Sequence, residues 1–258
     1  MRIGIIGIGK VGQALQQCFV EIDQSVVIHD TKLNTKINDV LNTSIIYICV
    51  PTPEHSDHSC DTSIVDNVIY ELDLLNYQGV VAIKSTVEPG HTESLINQTR
   101  LKVCFVPEFL RERCAARDFA NSNLLAVGTD SKEIFDIVCQ SHGTLARNPV
   151  MMSPVEAELL KYYSNVFNAT RVTFANIMYE LCQHYSADYE KILETYLIRG
   201  TASPDYLHCK EDLRGFTGKC LPKDTHAVNT LLKKIGKRYK LFDAVISDNQ
   251  HFTPTKIK

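Results

Sequence analysis

A chain of 258 residues, 44% hydrophobic and 22% charged, is long enough for one large domain or two smaller ones, and its composition excludes wholesale disorder. Lys and Arg number 27 against 30 Asp and Glu, a formal charge of −3, so there is no basic field for nucleic-acid binding. Apolar runs such as 45–50 and 79–83 fall far short of the roughly 18 residues of a membrane span, and Met1-Arg2-Ile3-Gly4 opens no secretory segment; a cytoplasmic protein with no membrane partner is expected.

Through the first 150 residues, short apolar runs alternate with amphipathic stretches, the signature of a parallel sheet covered by helices on both faces. In chain order, strands are predicted at 2–6, 25–29, 45–50, 79–83, 102–106 and 123–127, with helices at 11–22, 64–75, 91–98 and 132–141 between them. The pattern changes near Asn148-Pro149. There Ser153-Pro154-Val155-Glu156 combines an N-cap Ser, a Pro at the first helical position and a Glu at N3, a capping box that starts a helix. No Gly or Pro follows until Gly200, and Leu159, Leu160, Tyr163, Phe167, Phe174, Met178 and Leu181 recur at helical spacing. One helix of about eight turns or more is predicted, an element suited to a homodimer interface. Further helices at 225–234 and 239–250 precede a frayed tail at 251–258. The expected fold class is α/β: a Rossmann-like doubly wound parallel sheet over 1–150, then an all-α domain over 151–258 with one long central helix.

Gly7-Ile8-Gly9-Lys10-Val11-Gly12 follows the first strand directly and opens a helix, the context in which this glycine spacing marks a dinucleotide site. The glycines allow a tight turn and close backbone approach, and the helix N-terminus offers N–H donors to a pyrophosphate. The second strand ends in His29-Asp30, 18 residues beyond Gly12. A carboxylate there accepts from the ribose hydroxyls and repels a 2′-phosphate, so the expected cofactor is NAD rather than NADP.

The nine cysteines, at 18, 49, 60, 104, 114, 139, 182, 209 and 220, show neither a CxxC pair nor zinc-like spacing and read mostly as buried, reduced thiols. His55 and His58 come nearest to metal spacing, but Glu54-His55-Ser56-Asp57-His58-Ser59-Cys60 is polar and turn-like and reads as a loop; no metal is expected. Cys220 stands apart. Gly215-Phe216-Thr217-Gly218-Lys219-Cys220-Leu221-Pro222-Lys223-Asp224 places it between a glycine-flexible loop and a helix N-terminus, beside two lysines, surroundings that favour the thiolate and mark it as a nucleophile.

That last run resembles the active-site signature of the UDP-glucose/GDP-mannose dehydrogenase family. Other blocks agree in the same chain order: Val50-Pro51-Thr52-Pro53, Lys84-Ser85-Thr86-Val87-Glu88-Pro89-Gly90, Pro107-Glu108-Phe109-Leu110-Arg111-Glu112, and Glu158 through Asn165. The resemblance implies two successive oxidations of a sugar-nucleotide C6 alcohol to the carboxylate, with two NAD and one water. UDP-glucose is the expected substrate. The resemblance makes Cys220 the carrier of a thiohemiacetal and then a thioester. Lys161 and Asn165, at i and i+4 of the long helix, stabilise the oxyanion, and Asp224 orients a water or the Lys161 ammonium. The resemblance further implies that Glu108 is the base that activates water, that Thr86 and Glu112 lie beside the nicotinamide and Val50, Pro51 and Thr52 near the cofactor ribose, and that Glu108, Phe109, Leu110, Arg111, Lys161, Asn165, Gly215 and Phe216 line the sugar-nucleotide site. Taken singly, Lys161 is an ordinary solvated helix charge, Glu108 and Glu112 are loop acids, and Asn165 is a bundle amide; only the blocks around them single them out.

The chain departs from the family pattern in several places. Thr217 replaces the first glycine of a Gly-Gly pair, Arg171 stands where lysine is usual, and Arg113 follows Glu112 where glycine is common. Only 14 residues separate Asp30 from Ile45, so an excursion of the cofactor domain is trimmed. The family continues past the segment matched by 241–249 into a second doubly wound domain that grips the nucleoside diphosphate, and weak substrate affinity is expected unless another chain supplies those contacts. Three alternatives stay open: oxidation of another sugar nucleotide such as GDP-mannose or a UDP-N-acetylhexosamine, a feebly active NAD-binding regulatory protein, and a one-step hydroxyacid dehydrogenase.

Overall fold

The computed structural model describes residues 1–252, with the side chain of Glu112 outside that description. The expected tail therefore lies outside the described residues from 253 onward. Two compact units emerge: Met1–Pro53 with Cys60–Lys161, and Glu54–Ser59 with Tyr162 onward.

The first unit alternates β1 (Arg2–Ile6), α1 (Lys10–Glu21), β2 (Ser25–His29), β3 (Ile45–Ile48), α2 (Ser63–Leu74), β4 (Val80–Ile83), α3 (His91–Gln98), β5 (Lys102–Phe105), α4 (Ala115–Ala120), β6 (Leu125–Gly128), α5 (Lys132–His142) and β7 (Pro149–Met152). The strands form one sheet in the order β2-β1-β3-β4-β5-β6-β7, the expected Rossmann-like arrangement. Strands β3, β4 and β6 are buried on both faces, which is why they read as unbroken apolar runs. Alternate residues separate two cores. Ile46, Ile48, Val81 and Ile83 pack with Val65, Ile69 and Leu72 of α2. Ile45, Tyr47 and Ala82 pack with Leu15 and Phe19 of α1 and Val138 of α5.

In the first unit, α4 and β7 are absent from the prediction. The six residues of α4 are too few to show a helical period, yet Phe119 meets Phe19 edge-on at 5.7 Å and pins α4 to α1. Strand β7 is an exposed edge with Pro at its first position, where no ladder N–H is required, so it carries no apolar alternation to read. One pairing also differs from an all-parallel sheet: β5 and β6 are antiparallel, joined at Phe105 and Gly128. The helix between them is only about 9 Å long and does not carry the chain back along the sheet as α1 does.

Helix α6 (Pro154–His184) begins in the first unit and continues into the second. Its 31 residues match the predicted long helix, and the capping box forms: the Ser153 N–H donates to Glu156 Oε2 at 2.8 Å, and the Glu156 N–H to Ser153 Oγ at 3.4 Å. The helix ends at His184 without Gly or Pro; Ser186 follows with φ 53°, and Asp188 then caps α7 (Tyr189–Leu197) by accepting the Lys191 N–H at 3.1 Å. Helices α8 (Leu221–Lys234) and α9 (Lys240–Asn249) complete the described chain. No helix among the described residues is long and apolar enough to cross a membrane.

Candidate active site

The turn after β1 is built as its glycines require. Gly7 has φ +92°, and a Cβ there would lie 2.7 Å from the Cys49 carbonyl oxygen; at Gly12 it would lie 2.0 Å from the Gly7 oxygen. Above Gly9, by contrast, there is open space, with nothing within 4 Å of an added Cβ. Gly9 is the N-cap of α1, no side chain caps that helix, and its first turn holds no acid, so its leading amides remain available to an anion. Lys10 and Val11 form the first turn. At the end of β2, Asp30 Oδ2 accepts the Ile8 N–H at 2.7 Å and Oδ1 the Lys32 N–H at 2.9 Å, and these two donors hold its carboxyl below the usual range. Two amides leave lone pairs on the ionised carboxylate for ribose hydroxyls. Open space at Gly9, free helix amides and a fixed acid thus fit a dinucleotide.

Beyond β3, Val50, Pro51 and Thr52 begin a loop tied to β4 by Ser85, whose hydroxyl donates to the Val50 oxygen at 2.7 Å. Thr86 is half-buried after the same strand, and its carbonyl accepts from Cys60 Sγ at 3.3 Å.

Glu108 follows β5 and is 9% exposed. Its Oε1 accepts the N–H groups of Phe109 and Leu110 at 2.9 and 3.2 Å, while Oε2 lies 3.0 Å from the ammonium of Lys84, which is 5% exposed. Lys161, also buried, donates to the Glu108 carbonyl oxygen and sits over the Phe109 ring at 5.8 Å. The first unit therefore joins Glu108 and Lys161, both predicted, with Lys84, which was not. Lys84 lay within a matched block, and its position directly after a buried strand was the only signal. Arg111 pairs with Asp118: its Nε and Nη2 donate to that carboxylate at 2.8 Å each, and this guanidinium holds the Asp118 carboxyl down at about 2. Glu112 opens a short 3-10 turn, and its side chain lies outside the described residues.

In the second unit, Cys220 is the N-cap of α8 and the one exposed thiol among nine free cysteines. Burial pushes Cys104 up to about 12 and Cys209 to about 11, which removes them as nucleophiles. Asp224, in the first turn of α8 and fully buried, accepts from Asn165 Nδ2 at 2.6 Å and lies 2.8 Å from the Lys223 ammonium. The loop ahead of Cys220 is held by two asparagines that the sequence reading missed. Asn249 accepts the Phe216 N–H at 2.8 Å and donates to its carbonyl at 2.9 Å; Asn176 accepts the Gly215 N–H at 3.1 Å. The Phe216 ring is buried with Ala169 and Val245, so this residue anchors the loop through both ring and backbone.

Residues 30–143 match the UDP-glucose/GDP-mannose dehydrogenase family, NAD binding domain, and residues 155–251 match the same family's central domain. The cofactor of the sheet unit is therefore NAD. The UDP-glucose 6-dehydrogenase of Rickettsia bellii is 33% identical over 221 residues, 82% of this chain and 50% of its own. A UDP-glucose dehydrogenase structure from Pyrobaculum islandicum has the same fold, with a TM-score of 0.87 and 24% identity over 97% of this chain and 68% of that one. The 3-hydroxyisobutyrate dehydrogenase of Mycobacterium tuberculosis also shares the fold, at TM-score 0.76 and 12% identity over 97% of this chain and 92% of its own. The chain spans about half the length of the curated relatives it matches.

Proposed function

Because the chain belongs to the UDP-glucose/GDP-mannose dehydrogenase family, we propose that it oxidises the C6 alcohol of a sugar nucleotide, UDP-glucose, to the carboxylate through covalent intermediates on Cys220. NAD, when bound over Gly9 and beside Asp30, supplies the acceptor for the two hydrides removed. The overall change takes one alcohol, two NAD and one water to one carboxylate, two NADH and three protons. Cys220 Sγ adds to the intermediate aldehyde as a thiohemiacetal; loss of the second hydride leaves a thioester, which water cleaves, returning the thiolate. The observation that carries this reading is the singular exposure of Cys220 at a helix N-terminus among nine cysteines.

The groups named from the family's sequence blocks suit the steps. One N–H of the Asn165 amide is held by Asp224, which orients the other toward the oxyanion, and Lys161 contributes a cation one turn earlier on the same helix. Glu108, whose Oε2 lies beside the Lys84 ammonium, accepts the proton from the attacking water, with Lys84 as a positioning residue. Thr86, Glu112 and the Val50–Thr52 backbone serve the cofactor side; Phe109, Leu110, Arg111 and Gly215 frame the substrate.

Helix α6 displays a stripe of exposed apolar side chains, Leu159, Tyr163, Phe167, Phe174, Ile177 and Leu181, at helical spacing, and this supports a homodimer through α6. A chain with nine cysteines, an odd number without CxxC spacing, suits the reducing cytoplasm.

Stoichiometry tests the chemistry. UDP-glucose and NAD should yield two NADH per sugar; a one-step dehydrogenase, whose fold is also shared, yields one, and a regulatory protein none. Replacing Cys220→Ser should abolish release of the acid, and an undiminished rate of uronate formation would refute the covalent route. For the dimer, Phe167→Asp with Phe174→Asp should halve the sedimenting mass.

A further inference from the structure

The six-residue segment Glu54–Ser59 interrupts the first unit's sequence yet clusters with the second, and it brings metal-ligating side chains to α8. One carboxylate oxygen of Glu54, one ring nitrogen of His58 and one of His226 all lie within 4.8 Å of one another. His58 Nδ1 is hydrogen-bonded to Glu54 Oε1, which orients its ring, and that ring stacks on His226 with centroids 4.4 Å apart and planes 19° off parallel. Read from sequence, His58 was paired with His55 and the segment set aside as a turn; the ligand that changes the reading comes from a helix 168 positions away.

We propose that Glu54, His58 and His226 form a site for a late first-row divalent cation of the zinc class, with the fourth position left to water. The donor set favours such ions: two imidazoles and one carboxylate suit zinc, cobalt or nickel over calcium or magnesium, which take oxygen-only shells. The distances fit a modest closure. Zinc–nitrogen bonds of about 2.0–2.1 Å put tetrahedral ligands about 3.3 Å apart, so the ligand atoms draw in by roughly 1.5 Å at most, within reach of side-chain rotation at exposed positions.

The role is structural. Residues 54–58 are exposed, and the segment meets α8 through the His58–His226 stack and a long hydrogen bond, Thr230 Oγ1 to the Asp57 oxygen at 3.4 Å. A shared ion would bind the segment to the helix that Cys220 begins.

Cobalt(II) titration tests this on the full chain carrying Cys220→Ser, which removes the exposed thiol as a competitor. One equivalent should bind with visible d–d absorption and no thiolate charge-transfer band, and saturation should raise Tm. His58→Gln and His226→Gln should each weaken binding at least tenfold and abolish the Tm rise, whereas His55→Gln should leave both unchanged. Glu54→Gln, a change that keeps the side chain's size, should also weaken binding. The proposal is overturned if the parent takes up no cobalt at millimolar concentration, or if the His58→Gln/His226→Gln double variant binds one equivalent with unchanged affinity and spectrum. These readouts do not involve turnover, so they stand apart from the proposed oxidation.

Discussion

The ion pair between Lys84 and Glu108 offers a direct test of how the first unit sets its chemistry. Lys84→Met keeps the length of the side chain but strips the cation from a carboxylate that is 9% exposed. Removing one partner of a buried pair costs about 3–5 kcal/mol, because the other charge stays behind without compensation. Glu108 still accepts two backbone N–H groups at 2.9 and 3.2 Å, which places the loss near the lower end, about 3 kcal/mol. Lys84 also sits 5.7 Å from the centroid of the Phe119 ring, a contact that the methionine thioether largely replaces. At about 2–4 °C per kcal/mol for a unit of this size, Tm should fall by about 6–12 °C. Glu108→Gln, which leaves the ammonium buried, should cost a similar amount. The double variant removes both charges, and its loss should be smaller than the sum of the single losses by about 2 kcal/mol or more, the coupling of groups in contact. Urea unfolding followed by circular dichroism measures all four corners of the cycle. If the two effects add to within about 0.5 kcal/mol, the pair is not coupled and Lys84 does not position Glu108.

Burial holds His142 at about 3, against the ordinary imidazole value, so below pH 6.5 the unfolded chain takes up a proton that the folded chain refuses. Its contribution is intact above that pH and falls by about 1.4 kcal/mol per pH unit from there down toward pH 3; urea midpoints at pH 7 and 5 should therefore converge more closely in His142→Gln than in the parent, and equal slopes would count against the assignment. Asn165→Asp sets a second carboxylate at the 2.6 Å contact with buried Asp224, so Tm should drop sharply at pH 7; an unchanged Tm rules the contact out. Asp30→Asn removes the charge facing the ribose hydroxyls and should raise the Kd for NAD about tenfold while narrowing the preference over NADP, read by fluorescence titration of NADH and NADPH. Equal losses for both cofactors would mean that Asp30 serves only to hold Ile8.

What could be read from the chain alone was whatever depends on neighbours a few residues apart. The strand–glycine–helix run at 2–21, the capping box at Ser153, the buried strands seen as unbroken apolar runs, and Cys220 ahead of Pro222 are all local, because turns, caps and periodicity act over a few positions. Elements too short or too exposed to carry a period, α4 and β7, escaped that reading, and so did the antiparallel join of β5 to β6. The roles of charged and polar side chains also needed the fold. Taken singly Lys161 is a solvated helix charge, but the end of β5 and the start of α6 bury it against Glu108, where the Lys84 ammonium joins them; the pairing of Arg111 with Asp118 likewise shows only in the fold. Asn176 and Asn249 fix the loop before Cys220 from 39 and 33 positions away, and His226 meets His58 from still farther. A side chain's charge is written in its identity, but its desolvation and its partner are set by segments remote in the chain, and these together decide whether it is surface, scaffold or chemistry.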